Sequence, residues 1–149
     1  MSDIVGYMVT WTTYGTWLQG DRRGYVKNGV VLPENEKIET VNRELQKYDS
    51  IILTESEKET IRRVILDEAA AQGHKIHAIA VCTNHVHLIA EPCKLSIEEA
   101  VSRYKNKATM SLRKFGRPGR LWTKGFDKRF CFTPSELETR IRYVEKHNH

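Results

Sequence analysis

Apolar residues recur at helical spacing in two parts of the chain, and this pattern predicts two amphipathic helices. The first apolar stripe comprises Ile61, Val64, Ile65 and Ala69. Glu68 interrupts this stripe, and Gly73 follows it as a residue type that commonly ends helices. The second stripe comprises Leu137, Ile141 and Val144. Its segment begins with Thr133 as a capping residue and Pro134 in the first turn, so a helix is predicted to close the chain.

The rest of the pattern predicts four strands and one further helix. Strands are expected over residues 5–13, 76–83, 85–91 and 121–132, and helices over residues 55–72, 96–115 and from 134 onward. The order strand, helix, strand, strand, helix, strand is that of the ferredoxin-like, or split βαβ, arrangement. We therefore expect an α+β fold whose helices cover one face of an antiparallel sheet, with an additional C-terminal helix over the remaining sheet region.

Size and composition favour a single domain over residues 1–149, because 149 residues can bury one substantial core. The chain has neither a long apolar run nor a signal-peptide pattern, so no membrane partner is expected and a cytoplasmic location is predicted. Cys82, Cys93 and Cys131 are odd in number and lack a paired spacing. They are interpreted as reduced packing residues rather than as disulfides or zinc ligands.

Positive charge is concentrated in one part of the chain. The formal net charge is +5, and residues 101–129 contain ten lysines and arginines against one acid, Asp127. The candidates for DNA contact are Arg103, Lys105, Lys107, Arg113, Lys114, Arg117, Arg120 and Lys124. A polyanion is the natural partner of such a surface, although a solvated helix face is the alternative interpretation. Trp17 is a further candidate, as an aromatic residue on which an unpaired base could stack, and Tyr14, Tyr25 and Trp122 are available for the same purpose.

Two histidines that lie two residues apart are the first candidates for a metal-binding site. Side chains at positions i and i+2 of a strand share a face, so His85 and His87 project together while Val86 points into a core. Two converging neutral imidazoles can form half of a divalent-metal site. Chance tolerance of histidine on a half-exposed strand is the alternative explanation for this short motif.

A phenol and a third imidazole are predicted on one face of the terminal helix. Tyr143 and His147 are four residues apart, which places them one above the other. If this helix face meets the strand of His85 and His87, three nitrogen ligands surround one cation beside a tyrosine hydroxyl. The alternative is an ordinary tyrosine at the edge of the core and a frayed last turn.

These residues resemble the HUH endonuclease superfamily, which is named for its histidine-hydrophobe-histidine strand, and within it the single-tyrosine transposases. The similarity is greatest to insertion-sequence-200-like and REP-associated tyrosine transposases. Residues 84–88, Asn-His-Val-His-Leu, match their metal motif, and residues 142–147, Arg-Tyr-Val-Glu-Lys-His, match their nucleophile helix. Residues 7–13 and the tryptophan-containing segment 121–126 also resemble the corresponding segments of these transposases. Many relatives have Gln or Asn where this chain has His147, and residues 14–33 form a segment to which no role is transferred.

The resemblance implies a metal-dependent nuclease and strand transferase that acts on single-stranded DNA. Mg²⁺ or Mn²⁺ held by His85, His87 and His147 would polarise the scissile phosphate, and Tyr143 would form a 5′-phosphotyrosine. Imidazole ligands suit Mn²⁺ better than Mg²⁺, and no small-molecule cofactor is expected. Relatives recognise hairpins or palindromes, and a homodimer is implied, although some relatives act as monomers.

Three alternatives stay open on the sequence. Tyr104, in the basic helix, is a rival nucleophile. Tyr143 and Lys146 also fit the tyrosine-x-x-lysine pattern of rolling-circle replication initiators. Finally, the chain could be a domesticated DNA-binding module with a vestigial metal site.

Overall fold

The computed structural model describes residues 3–16 and 51–147. The elements in chain order are β1 (Gly6–Thr12), α1 (Glu55–Gln72), β2 (Ile76–Val81), β3 (His85–Ala90), α2 (Ile97–Lys114), β4 (Asp127–Cys131) and α3 (Pro134–Lys146). None of the helices in these residues has the length and apolar character needed to span a bilayer.

The four strands form one antiparallel sheet in the order β2-β3-β1-β4. A tight turn joins β2 to β3, and the Cys82 amide donates a hydrogen bond to the His85 carbonyl across it at 2.8 Å. The strand order and the intervening helices confirm the ferredoxin-like α+β fold expected from the sequence.

The two faces of the sheet bury different sets of side chains. Residues Tyr7, Val9 and Trp11 of β1 and the alternate residues of β3 pack with α1 and α2 in the larger core. The opposite face packs with α3, where Met8, Ile89 and Val144 form a smaller cluster. A Cβ atom at Gly6 would lie only 2.7 Å from the Leu137 side chain, so the glycine allows α3 to approach β1 closely.

Local sequence sets the ends of the helices. Thr54 and Thr133 each form a capping box, with Glu57 and Glu136 respectively, at the starts of α1 and α3. Gly73 ends α1 in a left-handed conformation, with φ of 66°. The start of α3 predicted from Thr133 and the end of α1 predicted at Gly73 are confirmed.

The strand predicted over residues 121–132 is shorter in the structure. Only Asp127–Cys131 pairs with β1 as a strand, and Trp122 forms an isolated bridge with Thr13. Gly125 has a φ of 86°, which bends the chain between these two pairings. The segment over residues 14–33 is the one to which the resemblance transfers no role. Its residues 17–33, which include Trp17 and Tyr25, lie outside the described residues.

Candidate active site

The two histidines of β3 lie on the sheet face that α3 covers. Their ring centroids are 4.6 Å apart, whereas Val86 between them is fully buried in the opposite core. His87 is 7% exposed and His85 is partly buried. The alternation of a strand therefore places the pair as the sequence predicts.

Helix α3 brings Tyr143 and His147 to this histidine pair. The rings of Tyr143 and His147 are 4.4 Å apart, and the His87 ring lies 5.7 Å from Tyr143 and 5.3 Å from His147. Buried Val144 anchors the helix to the sheet, while Tyr143 remains 45% exposed. The Cys82 thiol also donates to the His147 carbonyl at 3.5 Å, which ties the end of α3 to the end of β2. A phenol and three imidazoles thus share one partly open site.

Each of the three imidazoles uses Nδ1 for a hydrogen bond. His85 Nδ1 donates to the Asn84 side-chain oxygen, and His147 Nδ1 donates to the Tyr143 carbonyl, both at 2.8 Å. His87 Nδ1 shares a 2.8 Å hydrogen bond with the Thr10 hydroxyl. Such partners orient a ring and leave Nε2 for a metal or a substrate.

Burial keeps the strand histidines neutral at physiological pH. It lowers the pKa of His87 to about 4, with further contributions from His85 and His147. Burial, followed by the nearby His147, also lowers the pKa of His85. Neutral imidazole is the form that binds a metal ion, so the donor chemistry fits a divalent cation.

The three neutral imidazoles are suitable donors for a divalent cation, but their arrangement is less clearly that of a metal site. Within residues 3–16 and 51–147, no group of three or more His, Cys, Asp or Glu side chains is positioned to hold a metal ion. The three-histidine site at His85, His87 and His147 therefore stays a prediction, as does the role of Tyr143.

Thr10 is a member of the site that sequence reasoning missed. It is the register partner of His87 across β1 and β3, and its side chain is buried on the same face. The only signal in the sequence is the alternation of Thr10 and Thr12 with the apolar residues of β1. Strand register, which the sequence does not state, is needed to pair Thr10 with His87.

The rival nucleophile is in a different environment. Tyr104 is 1% exposed in the larger core, and its hydroxyl bonds to His74 Nδ1. It lies on the opposite face of the sheet from His85 and His87. Among the tyrosines of residues 3–16 and 51–147, Tyr143 is the one whose ring lies beside His87 and is partly exposed.

The basic candidates fall into two groups. Arg103, Arg113, Lys114 and Lys124 are exposed, and within the described part of the chain they form no ion pair. The other four are engaged by the protein. Lys105 donates to the Thr123 and Gly125 carbonyls, and Arg120 contacts the Trp122 carbonyl and the Tyr14 ring. Lys107 pairs with Glu68, and Arg117 pairs with Glu57. Arg117 makes two hydrogen bonds to Glu57, so its guanidinium is largely committed to the fold.

The aromatic residues proposed for base stacking differ in how exposed they are. Trp122 is 6% exposed and belongs to the larger core. Tyr14 is 40% exposed, and the Arg120 guanidinium lies 4.8 Å from its ring centre. Trp17 lies outside the described residues.

Comparison with known proteins agrees with the fold and the motifs. The sequence model of the family described as "Transposase IS200 like" matches residues 41–147. The chain therefore belongs to the IS200-like transposase family, as the histidine and tyrosine motifs suggested. No curated protein matches the chain significantly in sequence.

Two solved structures share the fold. One is a REP-associated tyrosine transposase bound to a REP hairpin, at 12% identity and a TM-score of 0.56, covering 97% of this chain and 67% of that chain. The other is a protein named as a transposase of Deinococcus radiodurans R1, at 14% identity and a TM-score of 0.57, covering 99% of this chain and 94% of that chain. Identities this low establish the shared fold alone.

Proposed function

We propose that this protein cleaves and rejoins single-stranded DNA at hairpin-associated sites, with Tyr143 as the nucleophile. The observation that carries the proposal is the position of the exposed Tyr143 ring, 5.7 Å from His87 and 4.4 Å from His147. Membership of the transposase family supports DNA as the substrate. The relative bound to a REP hairpin supports a hairpin beside the cleavage site.

The proposed step is a transesterification. The Tyr143 hydroxyl loses its proton and attacks the phosphorus atom, the bond from phosphorus to the 3′ oxygen breaks, and that oxygen takes up a proton. The products are a 5′-phosphotyrosine and a free 3′-hydroxyl. Because the phosphodiester is exchanged for a similar ester, another 3′-hydroxyl can reverse the step and join strands without ATP.

His85, His87 and His147 would hold Mn²⁺ or Mg²⁺ in this proposal. The cation would polarise the scissile phosphate and stabilise its developing negative charge. The protein's part is to orient the rings through Asn84, Thr10 and the Tyr143 carbonyl, so that Nε2 remains the donor atom. Three imidazoles favour Mn²⁺ over Mg²⁺ on donor preference.

The direct test is formation of a covalent protein–DNA adduct. The protein is incubated with Mn²⁺ and labelled single strands that carry hairpins, and the adduct is resolved by denaturing electrophoresis. We expect an adduct with the unaltered protein and with Tyr104→Phe, and none with Tyr143→Phe. An adduct that persists in Tyr143→Phe and disappears in Tyr104→Phe would reverse the assignment.

A DNA-binding module without catalysis is the second candidate. It is favoured by the finding that no three metal-binding side chains in residues 3–16 and 51–147 are positioned around a common cation. Binding of hairpin strands without cleavage, across several hairpins and with Mn²⁺ present, would support this module. The predicted homodimer is a separate proposal, and sedimentation of the protein with and without DNA tests it.

A further inference from the structure

A cavity of about 620 Å³ lies between α2 and the segment over residues 119–126. One wall is a column of α2 side chains at successive turns, comprising Val101, Lys105, Thr109 and Arg113. The buried residues Leu121 and Trp122 contribute apolar surface, and Phe126 adds a partly buried aromatic ring. A cavity of this size is typical of sites for small organic groups.

Hydrogen bonds hold the two walls of the cavity together. Lys105 Nζ donates to the carbonyls of Thr123 and Gly125, each at 2.9 Å. In return, Trp122 Nε1 donates to the Lys105 carbonyl at 3.1 Å. The shape of the cavity is therefore fixed by the fold, and its formation does not depend on a ligand.

The lining combines positive charge with polar groups that remain available. Arg113 and Lys124 are exposed at the cavity and form no ion pair among the described residues. The one carboxylate, Glu98, is bound to Lys128. Ser102 and Asn106 also line the cavity, and no hydrogen bond occupies their side chains within the described part of the chain. Hydroxyl and amide groups of this kind can read the edge of an unpaired base.

The cavity is joined to the end of the sheet that carries the histidine pair. The Thr123 amide in its wall donates to the Thr12 carbonyl at 2.9 Å, and Thr12 is the register partner of His85. Helix α2 covers one face of the sheet, whereas His85 lies on the other. A strand that reaches both places must pass round this end of the sheet.

We infer that this cavity binds one unpaired nucleotide of the DNA strand, with the base in the cavity and its phosphates near Arg113 and Lys124. The inference rests on the proposed function in that the nucleotide belongs to the strand on which the protein acts. Apolar and aromatic walls suit the faces of a base, and the free cations suit its phosphates. A base within a duplex cannot enter, so the cavity selects single-stranded DNA.

The test fills the cavity without changing the charge. Ser102→Trp is compared with Ser56→Trp, a matched change at an exposed position of α1. Both are made in a Tyr143→Phe background, so that binding is measured without cleavage. Fluorescence anisotropy then gives the affinity for four unstructured single strands, one for each base, and for a duplex of about the same length.

We expect Ser102→Trp to weaken single-strand binding by about tenfold or more, the loss of one base contact, and Ser56→Trp to leave it unchanged. Duplex binding, which depends on the basic surface, should be the same in both. Asn106→Ala serves as a smaller second variant, and it should reduce the preference among the four bases. Circular dichroism checks that each variant is folded.

Single-strand affinities equal to that of the parent in both Ser102→Trp and Asn106→Ala would overturn the inference. An equal loss of single-strand and duplex binding would also overturn it, because that result indicates a general basic surface. These outcomes are separate from the adduct test. A protein that forms no adduct can still show the Ser102→Trp effect, and an active one can lack it.

Discussion

Two sets of tyrosine and histidine side chains lie on opposite faces of the same sheet. On the face covered by α1 and α2, His74 lies between Tyr7 and Tyr104. On the face covered by α3, His87 lies near Tyr143 and His147. The residue types are the same, but their environments differ.

The difference lies in which atoms the protein leaves available. Both ring nitrogens of His74 have partners, because Nδ1 bonds to Tyr104 while Nε2 donates to the Glu91 carbonyl and contacts Tyr7. His74 is 4% exposed, and burial raises the pKa of both tyrosines. In the other set, hydrogen bonds occupy Nδ1 of each histidine, and Tyr143 is 45% exposed. The first set therefore stabilises the core, and the second retains atoms for chemistry.

Alanine substitutions of the two central histidines should produce opposite effects, and this is the largest expected difference. His87→Ala removes a candidate metal ligand, so Mn²⁺-dependent adduct formation should fall below detection while the protein stays folded. His74→Ala leaves the hydroxyls of Tyr7 and Tyr104 without this partner in the core, at a cost of about 1–3 kcal/mol for each unsatisfied group. Adduct assays and urea unfolding of both variants measure the two effects. Loss of activity only in His74→Ala would invert the comparison.

The sequence predicts the separation of the two sets only in part. Strand alternation places His85 and His87 on one face, and helical spacing places Tyr143 beside His147. These are local relations, and the structure shows both. The buried network instead joins His74 to Tyr7 and Tyr104, which are 67 and 30 residues away. No local pattern encodes such contacts, because they depend on how the elements pack.

The basic residues illustrate the same limit. The density of lysine and arginine over residues 101–129 is visible in the sequence. Arg117, however, pairs with Glu57, which lies 60 residues away at the start of α1. Lys105 is likewise engaged by two backbone carbonyls. Counting charges therefore identifies a basic segment but does not show which cations remain available to DNA.

Phenylalanine substitutions of the two tyrosines sharpen the comparison in terms of stability. Tyr104→Phe removes the hydroxyl that bonds to buried His74, so the free energy of unfolding should fall by about 1–3 kcal/mol. Tyr143→Phe changes a half-exposed side chain, and its effect should stay within about 0.5 kcal/mol. Urea denaturation without added metal measures both. Equal destabilisation by the two changes would show that Tyr143 also supports the fold.

Thr10→Val tests whether the hydrogen bond to His87 Nδ1 orients the ring. Valine keeps the shape of the side chain but removes the hydroxyl, so the Mn²⁺ concentration needed for half-maximal cleavage should rise by about 10–100-fold. Thr10→Ser retains the hydroxyl and is the matched control, which should stay close to the parent. An unchanged Mn²⁺ requirement in Thr10→Val would remove Thr10 from the site.

The smallest expected effect concerns the pH dependence that His74 gives to stability. Burial lowers the pKa of His74 below its ordinary value of 6.5, so the unfolded chain binds a proton that the folded protein excludes. This contribution to the free energy of unfolding is complete above the ordinary value, and it is lost progressively as the pH falls from that value toward the folded pKa. His74→Gln cannot titrate. The difference in unfolding free energy between the parent and His74→Gln should therefore shrink between about pH 7.5 and about pH 5.5. Urea unfolding at the two pH values measures it, and a constant difference would show that His74 does not titrate in this way.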